Sequence, residues 1–303
     1  MKVNVAVVQA SPVLFDKYKT IQKIAERVEE ASKESPKLIL FPEAFIPAYP
    51  RGLSFGTVVG DRSPQGRDMW LRYFDNSIEV PGDECMELAK IAKKANAYLV
   101  IGVTEKVSSG TLYCTMLYFS PKGKLIGMHR KLKPTAAERI IWGEGDGSDL
   151  NTYDTTIGKL GGLICWENYM PLARSWVYQQ GVDIYMAPTA DQRVGWQHTM
   201  KHIALEGRCY VLSCNQYVTK ADYPDDLPGE EISQLPQVMS NGGSVIIDPL
   251  GDTIVGPLWG NEGILHAELD MDYLKKSRMD FDPVGHYARK DVFSLQHKTF
   301  GDQ

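Results

Sequence analysis

Short runs of nearly unbroken apolar residues alternate along the chain with longer stretches in which apolar residues return every three or four positions. Val3–Ala10, Leu38–Phe41, Tyr98–Val103, Asp183–Ala187 and Cys209–Cys214 are runs of the first kind. They predict strands buried on both faces. Ile21, Ile24, Ala25, Val28 and Ala31 fall on one helical face, as do Cys85, Leu88, Ala92 and Ala95. Asp16 and Asp83 precede these two stretches and are expected to cap them. Further helices are expected over Leu172–Gln180 and Trp196–Arg208. Strand and helix in alternation define an α/β protein.

Two hairpins complete the pattern. Thr111–Ser120 and Lys124–Met128 flank the turn former Pro121-Lys122-Gly123, and Ser244–Asp248 and Thr253–Val255 flank Pro249-Leu250-Gly251. Each hairpin stands late in its half of the chain, which suggests an internal duplication. Residues 53–80 are irregular and rich in glycine and arginine, and no element is predicted there. Residues 219–237, rich in proline and acidic side chains, read as an exposed loop. No stretch reads as an interdomain linker.

Composition narrows the function. The 303 residues are 43% hydrophobic and 23% charged with a net charge of −5, a globular balance without the basic clusters of a nucleic-acid surface. No apolar run reaches membrane-spanning length, and the first residues enter a strand pattern without a signal peptide. The five cysteines (85, 114, 165, 209 and 214) lack paired spacing. They are expected as free thiols in a reducing, cytoplasmic setting. Nothing has the form of a phosphate loop, a dinucleotide fingerprint or a metal-ligand cluster, so neither cofactor nor metal is expected.

Three reactive side chains each follow an apolar strand-like segment: Glu43 after Leu38–Phe41, Lys131 after the first hairpin, and Cys165 after Leu163-Ile164. Loops from neighbouring strands meet at strand ends, where reactive groups of α/β sheets collect. A carboxylate that takes a thiol proton, a thiolate that attacks carbon and a cation that stabilises the resulting charge form a coherent nucleophilic site. Each also has a plainer reading, as a loop carboxylate, part of a solvated basic run and a small core residue. His129, His198 and His202 read as structural histidines.

Phe41-Pro42-Glu43-Ala44-Phe45, Arg130-Lys131-Leu132-Lys133-Pro134-Thr135 and Cys165-Trp166-Glu167-Asn168 resemble, in that order, the three motifs of the nitrilase superfamily of carbon–nitrogen hydrolases. Tyr49-Pro50-Arg51-Gly52, Trp142-Gly143-Glu144-Gly145-Asp146-Gly147, Ala187-Pro188-Thr189-Ala190-Asp191 and Gly285-His286-Tyr287-Ala288-Arg289 are similar to the true nitrilase branch. The similarity runs from Val3 to about Phe293. Lys133 departs from it, standing where an apolar residue is more usual.

The resemblance implies a four-layer α-β-β-α sandwich, with a catalytic domain over residues 1–280 and a C-terminal segment, 281–303, used in oligomerisation. It assigns Glu43 as base, Lys131 as charge stabiliser, Cys165 as nucleophile and Glu138 as the second glutamate that positions lysine and thiol. Tyr49, Trp166 and Thr189 are expected to line the substrate pocket, whose aromatic walls suit aryl or arylalkyl nitriles. The implied reaction takes a small nitrile and water to a carboxylic acid and ammonia through a thioimidate and a thioester, in a homo-oligomer. The alternatives are an amidase with the same triad, a cyanide-converting relative, and a non-catalytic binding or sensor protein with a reactive thiol.

Overall fold

A computed structural model describes residues 1–227 and 232–297. In chain order the first half comprises β1 (Lys2–Gln9), α1 (Lys17–Ala31), β2 (Leu38–Leu40), β3 (Thr57–Val58), β4 (Asp61–Arg62), α2 (Pro64–Asn76), α3 (Asp83–Ala95), β5 (Tyr98–Lys106), β6 (Leu112–Ser120) and β7 (Lys124–Arg130). The second half comprises β8 (Tyr153–Thr155), β9 (Gly158–Gly162), α4 (Pro171–Gln179), β10 (Ile184–Pro188), α5 (Val194–Gly207), β11 (Tyr210–Cys214), β12 (Tyr217–Thr219), β13 (Val238–Ile247), β14 (Thr253–Trp259) and β15 (Gly263–Asp270). A short helix, Met271–Ser277, follows.

The strands form two large sheets, one ordered β15-β1-β2-β5-β6-β7 and the other β8-β9-β10-β11-β13, with β12 and β14 both pairing with β13. Each sheet has three parallel strands at its centre, β1-β2-β5 in one and β9-β10-β11 in the other. Each continues into an antiparallel hairpin, β6-β7 or β13-β14. The two halves thus repeat one order of connections, with α1 and α3 in the crossovers of the first and α4 and α5 in those of the second. The paired hairpins of the sequence are the visible trace of this repetition.

Strand periodicity sorts side chains into three cores. Val3, Val5 and Val7 of β1, with Leu38 and Leu40 of β2, face a central core shared with Ile184 and Met186 of β10 and Leu212 of β11. This central core joins the sheets face to face. The opposite faces, carrying Ala6, Val8 and Ile39 in one sheet and Tyr185, Ala187 and Val211 in the other, lie under helices. Ile24 and Val28 of α1 and Leu88 and Ala92 of α3 cover the first sheet. Val177 of α4 and Trp196, Met200 and Ile203 of α5 cover the second. The result is the expected α-β-β-α sandwich.

Some elements depart from expectation. Residues 64–76, where the sequence predicts no element, form α2, started by Ser63, whose hydroxyl accepts the Gly66 N–H at 3.0 Å, and by Pro64 in the first turn. Met69 and Tyr73 are buried in the central core and Trp70 and Phe74 pack against it, so the helix turns one apolar face inward. Asp16 caps α1 through the Lys19 N–H, as expected, but α3 begins one residue early for its cap: Gly82 takes that position and Asp83 is the first helical residue. The loop expected to be exposed over 219–237 takes in only Thr219 of β12 and buries Tyr223 and Leu227 against the central core, and its residues 228–231 lie outside the described ones.

Candidate active site

The parallel strands β2 and β9 end at the same edge of the sandwich, and the turns beyond them carry Glu43 and Cys165. Pro42 follows the last residues of β2 and cannot continue the ladder. The turn then lies so close to β5 that a Cβ on Gly102 would stand 2.6 Å from Glu43 Cα. Only glycine admits that approach, which the bonds Gly102 N–H to Pro42 O (3.0 Å) and Phe45 N–H to Gly102 O (2.7 Å) fasten. After β9, Cys165 takes a left-handed conformation (φ 50°) and opens the 3-10 turn Cys165–Tyr169. A non-glycine residue holds such a conformation only where its surroundings impose it, and such residues gather at functional sites.

Lys131 follows β7 directly, its backbone N–H bound to Cys114 O at 2.8 Å. Its ammonium donates to Glu43 Oε1 at 2.6 Å and to Glu138 Oε2 at 2.8 Å, with the lysine and Glu43 side chains fully removed from solvent. Glu138 is fixed in turn: Oε2 accepts the Thr135 N–H at 2.6 Å and Oε1 accepts the Tyr49 hydroxyl at 2.8 Å. Lys131 Nζ also lies 5.9 Å from the centre of the Trp142 ring. The second oxygen of Glu43, Oε2, is buried without a hydrogen-bond partner among the described residues. A buried carboxylate oxygen with no donor is poised to take a proton.

Burial raises Glu43 above the usual carboxylate range, against the pull of Lys131 and with the repulsion of Glu138. Burial also pushes the Cys165 thiol up, to about 12, with Glu43 adding to the effect. For Lys131 burial works the other way, but Glu43 and Cys165 outweigh it and hold the ammonium well above its ordinary value. Lysine is therefore the standing charge of the site. The thiol is held protonated, and the Glu43 carboxylate near it is more basic than a solvated glutamate.

Of the residues expected to line the pocket, Tyr49 borders a cavity, while Thr189 and Trp166 are held by hydrogen bonds beside Cys165 and Asp191. Thr189 is buried, its hydroxyl 3.2 Å from Cys165 Sγ. Tyr49 reaches the site through its bond to Glu138 and packs edge-on against Trp142. Trp166 is partly exposed; its indole N–H donates to Asp191 Oδ2 at 2.8 Å, and the Arg193 guanidinium lies over its ring at 4.7 Å. Lys133 points outward to pair with Glu144. A small cavity lies beside these groups, lined by Tyr49, Arg51, Ala190, Asn215, Gln216 and Ser240 among others.

Several neighbours carried no sequence signal. Cys114 in β6 places its thiol 3.6 Å from Glu43 Oε1. Gln216 Nε2 donates to Glu43 O at 2.9 Å. Glu167, inside the quoted cysteine motif, accepts the Leu132 N–H at 2.6 Å and the Ile164 N–H at 2.8 Å, tying the residue after Lys131 to the residue before Cys165. Position within a strand says nothing of such partners, which are met only across the fold.

A buried thiol, carboxylate and ammonium meet where two sheets of a sandwich end, and comparison with known proteins gives the class of protein that carries them. Residues 4–279 match the carbon-nitrogen hydrolase family. The aliphatic nitrilase of Sinorhizobium fredii (strain HH103) is 50% identical over 295 residues, 97% of this chain and 95% of that one. Nitrilase 2 of Arabidopsis thaliana is 47% identical over 298 residues, 97% of this chain and 88% of that one. In three dimensions, Nit3 of Saccharomyces cerevisiae, a member of branch 10 of the nitrilase superfamily, shares the fold with a TM-score of 0.72 at 24% identity, over 95% of this chain and 97% of that one. The chain belongs to the carbon–nitrogen hydrolase family.

Proposed function

We propose that the protein is a nitrilase that converts a small organic nitrile and two waters to a carboxylic acid and ammonia, with Cys165 as nucleophile, Glu43 as base, Lys131 as charge stabiliser and Glu138 as the residue that positions the lysine. The observation that carries this reading is the buried Lys131 ammonium held between Glu43 and Glu138 while Glu43 Oε2 is left without a partner. The names of the relatives, an aliphatic nitrilase and Nitrilase 2, support the choice of nitrile.

In the first step the thiol proton passes to Glu43, sulfur bonds to the nitrile carbon, and the nitrogen takes up a proton to give the thioimidate. Water adds to that carbon, ammonia departs and a thioester remains. A second water, deprotonated by Glu43, releases the acid and restores the thiol. Lys131 and the backbone N–H of Trp166 face the negative charge that each addition develops. One such donor is worth about 10²–10³ in rate.

The test is a panel of aliphatic, aryl and arylalkyl nitriles, with the corresponding amides, read by ammonia release. Aryl compounds belong in it because the aromatic ring of Tyr49 borders the cavity, and aliphatic ones because of the relative's name. Turnover of nitriles ahead of amides is expected. Amide turnover alone assigns an amidase, and a reactive Cys165 with no turnover of either assigns a binding or sensor role.

The reading extends to a homo-oligomer and to a catalytic unit over residues 1–280, followed by the association segment 281–303. Its support is a broad groove on the outside of α4, lined by Leu172, Tyr287, Val292 and Phe293 among others. Leu172 is 70% and Phe293 77% exposed in the single chain. Among the described residues, no helix is long and apolar enough to cross a membrane. A cytoplasmic location fits the five free cysteines.

A further inference from the structure

Thr189 follows Pro188, the last residue of β10, and its backbone N–H donates to Cys214 O at 2.9 Å in the neighbouring strand. Its side chain is buried between two groups. The hydroxyl accepts the Asp191 N–H at 2.9 Å and lies 3.2 Å from Cys165 Sγ. A hydroxyl has one proton to give. With the Asp191 N–H donating to the oxygen, that proton is directed at the sulfur, and the branched side chain restricts the rotamers that would turn it away.

Asp191 is itself held on every side. Its carboxylate accepts the Trp166 indole N–H at 2.8 Å, the Arg193 backbone N–H at 2.9 Å and the Arg193 Nε–H at 2.9 Å. Its carbonyl accepts from Asn215 Nδ2 at 3.0 Å. Trp166 is the residue next to the nucleophile in the chain. The residue that aims the Thr189 hydroxyl therefore also anchors the indole of the residue that follows the nucleophile.

We propose that Thr189 is a catalytic residue whose hydroxyl donates to the Cys165 sulfur and stabilises the thiolate as its proton leaves for Glu43, with Asp191 as the positioning residue that orients the hydroxyl. The inference rests on the nitrilase reading only for the identity of the electrophile. The proton moves from Cys165 Sγ to the Glu43 carboxylate, and Thr189 keeps its own. The need for such a donor is clear from the surroundings: burial and the Glu138 carboxylate oppose the thiolate that remains once Glu43 has taken the proton, and the Lys131 ammonium is shared with that carboxylate. The Thr189 hydrogen bond acts in the opposite sense and favours the thiolate.

The experiment follows alkylation of Cys165 by iodoacetamide in the full chain by intact mass across pH, with Cys165→Ala as the blank for the other cysteines. Thr189→Val keeps the branched shape and removes the hydroxyl. It is expected to slow alkylation about tenfold near pH 8 and to move the profile upward by about one pH unit. The kcat on a nitrile should fall by a similar factor while KM holds. Thr189→Ser, which retains the hydroxyl, should return both readouts towards the parent. An unmoved alkylation profile in folded Thr189→Val overturns the proposal, as does a loss confined to KM, the signature of a pocket wall. Should Thr189→Val fail to fold, Thr189→Ala tests the same hydroxyl with the same two outcomes. A shifted profile in a protein that releases no ammonia from any nitrile removes the nitrilase reading and leaves the Thr189 assignment standing; nitrile turnover with an unmoved profile does the reverse.

Discussion

His129 Nε2 lies 3.1 Å from both carboxylate oxygens of Glu167, and the other ring nitrogen lies 3.1 Å from Asp149 Oδ1. A neutral imidazole can donate from only one nitrogen. Burial pulls His129 down, but Glu167 and Asp149 outweigh it and raise the ring to about 10, so the imidazolium is the native form. Glu167 is the carboxylate that also holds the Leu132 and Ile164 N–H groups. The buried charge pair thus fixes the backbone on either side of the gap between Lys131 and Cys165.

This pair makes stability depend on pH. The folded value of His129 lies above its ordinary 6.5, so the stability it contributes is complete below that pH and is lost as pH climbs towards 10. Between these limits the contribution falls by about 1.4 kcal/mol per pH unit. His129→Gln should be less stable than the parent at pH 6 and should lose less on going to pH 9.5. Urea unfolding of both proteins at several pH values checks this; parallel curves would show that His129 is neutral in the fold.

Of the five cysteines, Cys165 alone combines the left-handed turn with Glu43 and Lys131 beside it. Cys165→Ala should abolish turnover in a folded protein. Conservative variants of Cys85, Cys209 and Cys214 should keep substantial activity. Cys114→Ser, whose side chain neighbours Glu43, should also remain active because its thiol lies outside the attacking path. Steady-state kinetics on one nitrile decide the matter, and full activity in Cys165→Ala would remove the covalent route.

Glu43 and Lys131 should fail together. A lost base costs about 10²–10⁴-fold, and a lost charge stabiliser a broadly similar factor. Once either is gone, the covalent route is already disabled, so the losses cannot multiply. Glu43→Gln and Lys131→Met should each remove most of the activity, and the double variant should be scarcely worse than the poorer single one. Lys131→Met also leaves Glu43 and Glu138 buried without their cation, at a cost of about 3–5 kcal/mol. Circular dichroism and unfolding curves accompany the kinetics for that reason. Losses that multiply would place the two residues in separate steps.

Removal of residues from 281 onward should change the particle size and reduce activity. The segment contributes Tyr287, Val292 and Phe293 to the groove beside α4. Sedimentation velocity on the parent and the truncated protein reads the difference directly. A parent that sediments as an active monomer would refute the association.

What the sequence determined by itself was the set of buried strands and amphipathic helices, because period 2 and period 3.6 are local properties of the chain. The order of the Glu43, Lys131 and Cys165 motifs was legible for the same reason, as each follows a strand that announces its own end. The hairpin at 121–123 and its counterpart at 249–251 were equally plain from their turn residues. Tertiary structure decided the rest. β8, β12 and β15 are edge or closing strands whose pairing partners are chosen across the sheet, and β15 finds β1 from the far end of the chain. Tyr49 beside Glu138, Leu132 beside Glu167, Cys165 beside Thr189 and Glu43 beside Cys114 come from distant segments, and burial, which raises Glu43 and Cys165, exists only once two sheets close over them. Periodicity records which side of an element faces inward; what it meets there, and how far water is removed, is settled when the layers pack.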